Sequence, residues 1–344
     1  MKLLIFTQKV DSEDDILGFF HRWIERFAQR VEKINVICLW QGKYSLPPNV
    51  KVWSLGKETG RSKLKYIFRF YKYIWKLRKE YDAVFVHMNP IYVVLGGLFW
   101  KIWKKKICLW YNHQLGTLIT KLGIKISDVA FYTSPFAFTS RFKNSKIMPA
   151  GIDIEIFKND ENIQKIPNSI LCLGRISPIK NVDILIETAR LLDKEGIDFI
   201  LNIVGEAGEK DREYFKKIKE LSKDLEIKGK IKFLGKIPNY KTPEIYNQNE
   251  IFVNLSPAGL FDKAVLEAMA CQTLILVSSK AFEEVLPECL IFEEKNTLDL
   301  KNKIVNLSKM EKKEKENFGK NLREYVIQNH NLDNLIEKII IFFQ

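Results

Sequence analysis

The chain has 344 residues and a formal net charge of +13, and its 46% hydrophobic and 28% charged content excludes a disordered protein. No run of about 18 apolar residues occurs, so a membrane-spanning helix is not expected. The five scattered cysteines lack any CxxC or metal-ligand spacing, which favours free thiols in a reducing compartment.

The positive charge is confined to the first half of the chain. Residues 1–150 contain 26 Lys/Arg and 10 Asp/Glu, whereas residues 151–344 contain 29 and 32. A basic half of this kind indicates an anionic partner surface, either a membrane or a nucleic acid.

Apolar runs in the first half alternate with helical patterns. They predict strands near residues 2–7, 34–40, 81–87, 107–112 and 128–132, with helices near 18–31, 63–79 and 90–104. The loop of residues 9–18 carries four acids, which could face hydroxyl groups or a cation, or could simply be solvated. Gly18 is the position in this loop best suited to a close backbone approach.

The predicted helix 63–79 lies in an unusually basic and aromatic segment. Residues 61–79 contain eight bases, six aromatics and no acid. Helical spacing predicts that one stripe packs on the sheet: Leu64, Ile67, Phe68, Tyr71, Ile74 and Trp75. The remaining stripe, Tyr66, Phe70, Tyr73 and Leu77, is interleaved with bases and is typical of a helix on anionic lipid, although a solvated basic face is the alternative. The predicted membrane or acceptor surface comprises Lys65, Arg69, Lys72, Tyr73, Lys76, Trp103 and Lys104.

The second half repeats the alternation more regularly. It predicts strands near 169–173, 198–204, 231–234, 250–254, 273–277 and 289–292, helices near 180–195, 210–224, 242–248, 263–271 and 280–286, and a last helix over 332–343. Strands rich in Val, Ile, Leu and Phe between helices form parallel, doubly wound sheets, so the fold class is α/β. We expect domains over 1–160 and 161–320, then C-terminal helices over 321–344 that could pack back on the first domain. Ligands are expected in a central cleft that the carboxyl ends of the strands face.

The segment 174–181 has the features of an anion-binding loop. It follows a predicted strand and opens a helix, whose first N–H groups and dipole favour a negative ligand. Gly174 lets the backbone turn, and Arg175 and Lys180 add two cations that suit a diphosphate. The alternative is an ordinary loop with two surface cations.

A second candidate segment runs over 256–271. A loop of small residues leads into a helix, with Asp262 as a plausible N-cap. Glu267 lies among small apolar residues of that helix, where a carboxylate is costly without a partner. It could accept two hydrogen bonds from a ribose diol, or it could be a surface glutamate.

Taken in order, these motifs resemble glycosyltransferase family four of the GT-B fold. The motifs are Ala150-Gly151-Ile152-Asp153, the GR-x4-KN of 174–181, Ile203 to Gly208 with Gly205, Phe233-Leu234-Gly235, and the 256–273 segment. The resemblance implies two Rossmann-like domains facing a central cleft, with Arg175 and Lys180 on the donor diphosphate and Glu267 on the ribose. It implies transfer of a sugar from a nucleotide-diphosphate sugar, with retention of configuration, to a glycan or lipid-linked acceptor. Without an Asp-x-Asp motif, no metal is expected, and no cofactor is implied.

The chain departs from the family pattern at one donor position. The first Glu of the family's E-x7-E pair would stand at 259, but the residue is Gly259. Gly259 still lets backbone N–H groups face the donor, and Asp262 or Lys263 could take over a contact to the sugar or phosphate. A degenerate enzyme is the alternative that this departure leaves open.

On the acceptor half, the resemblance implies a histidine near the transferred sugar. His113 follows the predicted strand 107–112 and could donate a hydrogen bond to a sugar hydroxyl, whereas a structural loop histidine is the alternative. His87 ends the preceding strand. A nucleotide-sugar epimerase and a basic nucleic-acid-binding protein are the alternative functions, although nucleic acid is not expected because no recognisable module supports it. The predicted location is cytoplasmic, peripheral to the inner face of the cell membrane.

Overall fold

A computed structural model describes residues 1–60, 62–257, 259 and 261–343; Arg61, Ala258, Leu260 and Gln344 lie outside the described residues. The chain divides into two compact units. The first comprises Met1–Gly151 together with Leu332–Gln344, and the second comprises Ile152–Asn331.

The first unit is built on a parallel sheet. Its strands are β1 (Lys2–Val10), β2 (Lys33–Gln41), β3 (Val50–Ser54), β4 (Ala83–His87), β5 (Lys106–Trp110), β6 (Val129–Tyr132) and β7 (Ser145–Ile147), and its first helices are α1 (Phe19–Ala28), α2 (Lys63–Leu77), α3 (Pro90–Ile102) and α4 (Leu118–Ile126). The sheet order is β3-β2-β1-β4-β5-β6-β7. This order reverses between β1 and β4, which is the switch point of a doubly wound sheet.

Alternate residues of β1 supply the two cores of this unit. Leu3 and Ile5 lie in a cluster with the apolar side of α1, and Leu4 and Phe6 lie in a cluster with α2 and α3. Both sheet faces are therefore covered by helices, which explains why the strands are continuous apolar runs.

The inward face of α2 differs from the predicted one. Leu64, Phe68 and Trp75, predicted to pack on the sheet, are 79%, 71% and 55% exposed, whereas Phe70 and Leu77 are 1% exposed. The prediction was wrong for most of this stripe because both stripes are apolar and the partners decide between them. Phe70 stacks on Tyr92 at 5.8 Å and lies 5.2 Å from Phe6, measured between ring centroids.

Two aromatic residues assigned to the membrane surface also turn inward. The Tyr73 hydroxyl donates to the Ser54 carbonyl at 3.3 Å, and the Tyr73 ring lies 5.4 Å from the Trp53 ring. Tyr73 and Trp103 pack, partly buried, against the core cluster that contains Phe70. The apolar part of any interfacial surface is therefore the stripe that contains Leu64 and Phe68.

The second unit contains a smaller parallel sheet. Its strands are β8 (Ser169–Leu173), β9 (Ile200–Val204), β10 (Ile231–Gly235), β11 (Ile251–Asn254) and β12 (Leu274–Val277), and its helices are α5 (Val182–Lys194), α6 (Arg212–Ile227), α7 (Thr242–Gln248), α8 (Lys263–Ala270), α9 (Thr297–Lys309) and α10 (Lys312–His330). The sheet order β10-β9-β8-β11-β12 again reverses at its first strand, between β8 and β11. A ligand site is expected outside the carboxyl ends of these two strands.

The last helix, α11 (Leu332–Ile341), packs on the first unit. Leu335 is fully buried, and a Cβ added to Gly151 would come within 2.4 Å of its Cδ2 atom. The Arg30 guanidinium donates to the Asp333 carboxylate at 2.7 Å on the same face. The final helix is thus an integral part of the first unit's core.

Several elements were absent from the sequence prediction. They are the edge strands β3 and β7 and the helices α4 and α9. The predicted strand 289–292 is instead a 3-10 helix, Glu288–Leu290, followed by a single bridge from Ile291 to Val277. The predicted helix 280–286 is a 3-10 turn over Lys280–Phe282.

Candidate functional site

The switch point of the second sheet brings the two candidate segments together. The loop 174–181 leaves β8, and the loop that ends at Asp262 leaves the adjacent strand β11. The Asn181 side-chain amide donates to the Leu255 carbonyl at 3.0 Å, which ties one loop to the other. Segments separated by more than 70 residues in sequence therefore share one site.

Gly174 and Gly205 shape the first loop. Their φ angles are +148° and +124°, a region that favours glycine. The Gly174 N–H donates to the Val204 carbonyl at 3.0 Å, and the Ile176 N–H donates to the Glu206 carbonyl at 3.0 Å. Gly205 therefore packs against the backbone of the loop that carries Arg175.

Arg175 and Lys180 have different surroundings. Arg175 is exposed and, within the part of the chain that the structure describes, makes no hydrogen bond or ion pair. Lys180 is partly buried; its Nζ atom donates to Ser256 Oγ at 3.0 Å and pairs with the Asp262 carboxylate. The loop thus offers one free planar cation and one fixed ammonium.

Asp262 caps helix α8 and holds Lys180. Its Oδ1 atom accepts from the Ala264 N–H at 3.4 Å, consistent with the predicted N-cap. Burial opposes ionisation, but the charge and hydrogen bond of Lys180, with hydrogen bonds from Asn254 and Ser256, lower the pKa of Asp262 to about 2. The Asp262 carboxylate is therefore ionised at neutral pH.

Glu267 is buried inside the site, with 4% of its surface exposed. Its Oε1 atom accepts from Asn239 Nδ2 at 3.1 Å and its Oε2 atom accepts from the Tyr246 hydroxyl at 3.3 Å. Burial raises the pKa of Glu267, and the positive charge of Lys263 and these two hydrogen bonds oppose the rise. A carboxylate can accept about four hydrogen bonds, so it retains capacity for a ligand.

Gly259 stands at the position where the family pattern has a glutamate, and it lies in a turn without a side chain. It is buried, and its φ angle is +87°, which a side chain would strain. No carboxylate can be presented from this position, so the only acids contributed by 259–267 are Asp262 and Glu267.

In the first unit, His113 has a defined tautomer. It is exposed, and its Nδ1 atom accepts the Leu115 N–H at 3.0 Å. An accepting Nδ1 requires a neutral ring with its proton on Nε2. Asn112 supports the loop, since its Oδ1 accepts the N–H groups of Thr133 and Ser134 at 2.8 and 3.0 Å. His113 therefore presents an Nε2–H donor.

His87 and Gly18 have packing roles near the first switch point. His87 is 2% exposed and stacks on Phe20 at 4.0 Å. Gly18 precedes α1, where an added Cβ would come within 2.4 Å of the Asp14 carbonyl oxygen. The close approach at Gly18 is to its own loop.

Two acids of the loop of residues 9–18 pair with a lysine of the same loop. Lys9 Nζ lies 2.5 Å from Asp14 Oδ2 and 3.2 Å from Asp11 Oδ2. Asp14 Oδ1 accepts the N–H groups of Ile16 and Leu17, at 2.9 and 2.6 Å. Burial opposes ionisation of Asp14, but the Lys9 hydrogen bond and these two backbone bonds lower its pKa. Two of the four acids are thus structural.

With this geometry defined, comparison with known proteins assigns the family. Residues 153–325, half of the chain, match the family model described as "Glycosyl transferases group 1". The chain belongs to the group 1 glycosyltransferases. Membership supports an enzyme that transfers a sugar from a nucleotide sugar. No curated protein matches the sequence.

Solved structures share the fold of this chain. Sucrose-phosphate synthase from Thermosynechococcus elongatus has a TM-score of 0.82 at 15% identity, over 100% of this chain and 98% of its own. Anabaena HepE in complex with UDP and glucose has a TM-score of 0.78 at 15% identity, and the match covers 99% of this chain and 98% of HepE. An S. aureus TarM variant in complex with fondaparinux, alpha-GlcNAc-glycerol and UDP has a TM-score of 0.74 at 13% identity. That match covers 100% of this chain and 99% of the TarM chain. These likenesses establish the fold: α/β, GT-B, with two Rossmann-like domains.

The glycosyltransferase fold groups the predicted donor residues in the second unit. Gly174, Arg175, Lys180, Gly205, Gly259, Asp262, Lys263 and Glu267 all lie on or behind the loops leaving β8, β9 and β11 or in helix α8. Gly18 and His113 belong to the first unit. Sequence reasoning did not single out Asn239, Tyr246, Asn254 or Ser256, which hold Glu267 and Asp262. Two of them carried a signal: Asn254 ends a strand, and Ser256 begins the candidate segment 256–271. Among the described residues, no group of three His, Cys, Asp or Glu could hold a metal ion.

Proposed function

We propose that this group 1 glycosyltransferase is a family-four enzyme that moves a hexose from a UDP-sugar to a glycan or lipid-linked acceptor, retaining the anomeric configuration. The observation that carries the proposal is the joining of the 174–181 loop to Asp262 across the switch point. HepE and TarM were crystallised with UDP, which makes UDP-sugars the first donors to test.

Arg175 and Lys180 would bind the donor diphosphate. Arg175 has no partner among the described residues, and a guanidinium can bind a phosphate through two parallel hydrogen bonds. Lys180 is fixed in the loop between β8 and α5, where a positive charge can stabilise the leaving diphosphate without reorganising. The protein would thus supply positive charge where negative charge develops, and the leaving diphosphate would help to deprotonate the acceptor. No metal is needed in this scheme, so transfer should persist in a chelator.

Glu267 would bind the donor ribose, and His113 would bind the transferred sugar. Glu267 retains acceptor capacity on both carboxylate oxygens for a vicinal diol. His113 presents its Nε2–H as a donor for a sugar hydroxyl oxygen. Gly259 offers no acid for the sugar, so sugar recognition would depend more on backbone groups than in typical relatives.

Product analysis tests this function. The protein, incubated with radiolabelled UDP-glucose, UDP-galactose and UDP-N-acetylglucosamine and a membrane-lipid extract, should transfer label to an acceptor or slowly release free sugar. Proton NMR of the product should show the donor's anomeric configuration. Conversion of one UDP-sugar into another without acceptor would indicate an epimerase instead, and an inverted product would contradict the proposed mechanism.

We also propose that α2 and α3 bind an anionic membrane surface. Leu64 and Phe68 on α2 and Leu98 and Ile102 on α3 are between 66% and 79% exposed. The two helices are adjacent, since the Tyr71 hydroxyl donates to the Leu95 carbonyl at 3.2 Å. Isolated exposed apolar side chains are common, but two exposed stripes on adjacent helices are typical of an interaction surface.

The charge around these stripes favours anionic lipid as the partner. Residues 59–127 contain 14 Lys/Arg but only two acids, Glu80 and Asp82. Basic residues near an anionic bilayer contribute about 1 kcal/mol each, and apolar side chains add insertion into the interface. No described helix is long and apolar enough to cross a membrane. We propose a peripheral association through these side chains, with the protein on the cytoplasmic face beside a lipid-linked acceptor.

A further inference from the structure

Asp262 is the acid nearest in sequence to the position where the family carries one and this chain has Gly259. Two roles are open to it: it could contact the transferred sugar in place of the absent acid, or it could act on another residue of the site. Its hydrogen bonds support the second role.

The Oδ2 atom of Asp262 is committed to protein donors. It accepts from Lys180 Nζ, from Asn254 Nδ2 at 3.0 Å and from Ser256 Oγ at 3.1 Å. The Oδ1 atom faces the Ala264 N–H at 3.4 Å. An oxygen that accepts three donors has no capacity left for a sugar hydroxyl, whereas Oδ1, with one long bond, keeps acceptor capacity.

Lys180 retains one donor beyond this cluster. Its ammonium group has three N–H bonds, and Ser256 Oγ and Asp262 Oδ2 take two of them. Among the described residues it has no third partner. Because two bonds fix the orientation of a tetrahedral ammonium, the direction of the third N–H is set by Asp262 and Ser256.

We propose that Asp262 is a positioning residue, which orients Lys180 toward the donor diphosphate through its Oδ2 atom. This inference rests on the proposed donor site. Asn254 and Ser256 contribute to this positioning, because they donate hydrogen bonds to the Asp262 carboxylate that binds Lys180.

A double-mutant cycle tests the assignment. Dissociation constants for UDP and for UDP-glucose are measured by calorimetry on the full chain and on Asp262→Ala, Lys180→Ala and the double variant. Asp262→Asn serves as the conservative variant, because its amide oxygen can still accept from Lys180. Asp299→Ala, which removes an acid from the first turn of α9, is the matched control. Thermal unfolding of each variant verifies that it is folded.

If Asp262 acts through Lys180, Asp262→Ala should raise both dissociation constants by the same factor, about tenfold, because a hydrogen bond to a charged group is lost. Asp262→Asn should recover part of the affinity, and the effect should vanish in the Lys180→Ala background. A loss confined to UDP-glucose, an equal loss without Lys180, or no loss at all would overturn the inference. If the wild type binds no UDP or UDP-sugar, the proposed donor function itself fails.

Discussion

A Cβ added to Gly205 would lie 2.0 Å from the carbonyl oxygen of Gly174. The loops leaving β8 and β9 are therefore in backbone-to-backbone contact, with no side chain between them. This contact supports the turn from which Arg175 projects. A glycine in the second loop thus determines the shape of the first.

Gly205→Ala should destabilise the second unit and weaken UDP binding. The added methyl group meets backbone that cannot move aside, and the φ of +124° adds strain. Positive φ alone costs alanine about 1–3 kcal/mol. Gly229→Ala is the control, since its φ is +73° but nothing lies within 4 Å of the added atom. Urea unfolding should show a larger loss for Gly205→Ala; equal losses would mean that the contact between the loops is unimportant.

Leu335→Ala should destabilise the first unit through its C-terminal helix. Leu335 is fully buried against α1, so its truncation leaves a cavity and should cost about 2–5 kcal/mol. Ile341→Ala, at a 66% exposed position of the same helix, should cost far less. Denaturant unfolding of both variants gives the comparison. Similar values for the two would show that α11 is not part of the core.

Glu267→Gln should gain stability relative to the wild type as pH rises. Burial raises the pKa of Glu267 above its ordinary value of 4.5, so the folded protein binds this proton more tightly than the unfolded chain does. The stability that this proton contributes is present at acidic pH and is lost as pH rises through the folded pKa. Glutamine has no such proton to lose.

The measurement is the difference in melting temperature between Glu267→Gln and the wild type, from pH 5 to pH 8. Lys263, the cation that opposes this pKa rise, lies four residues earlier on α8, so Lys263→Met is measured in parallel to separate its contribution. A difference that is constant across this range would contradict the raised pKa of Glu267.

Phe68→Ser combined with Leu98→Ser should weaken binding to vesicles of phosphatidylcholine and phosphatidylglycerol. Both side chains are exposed, at 71% and 70%, so the fold should not change. Ile227→Ser removes an 80% exposed side chain from the second unit and should have no effect. Cosedimentation provides the measurement, with phosphatidylcholine alone as the neutral surface. Equal binding by all three proteins, or tighter binding to oligonucleotides than to vesicles, would contradict the membrane proposal.

The sequence predicted the strands β8 to β12 and the helices α5 to α8 well, because the strands are short apolar runs rich in Ile, Leu, Val and Phe and glycine follows most of the earlier elements in this half. It failed at α2, where two apolar stripes satisfy the same helical period. Only the tertiary partners of Phe70, namely Phe6 and Tyr92, determine which stripe turns inward. Edge strands β3 and β7 were missed because short, partly exposed strands carry little apolar pattern.

The site was predictable where motifs are local and unpredictable where contacts are long-range. Arg175, Lys180 and Glu267 each belong to a short motif with a stated chemistry. The contact from Asp262 to Lys180 joins positions 82 residues apart, and those from Glu267 to Asn239 and Tyr246 span 28 and 21 residues. Such pairs follow from strand order, which periodicity alone does not give.

Calorimetric titration of UDP into the wild type and Glu267→Ala tests the central claim most directly. The account predicts that UDP binds the wild type at one site and binds Glu267→Ala at least about tenfold more weakly, because the ribose loses its carboxylate. GDP is titrated alongside to determine the base preference. Absence of binding by either nucleotide to the wild type, or equal binding by the folded Glu267→Ala variant, would contradict a donor site at the switch point of the second sheet.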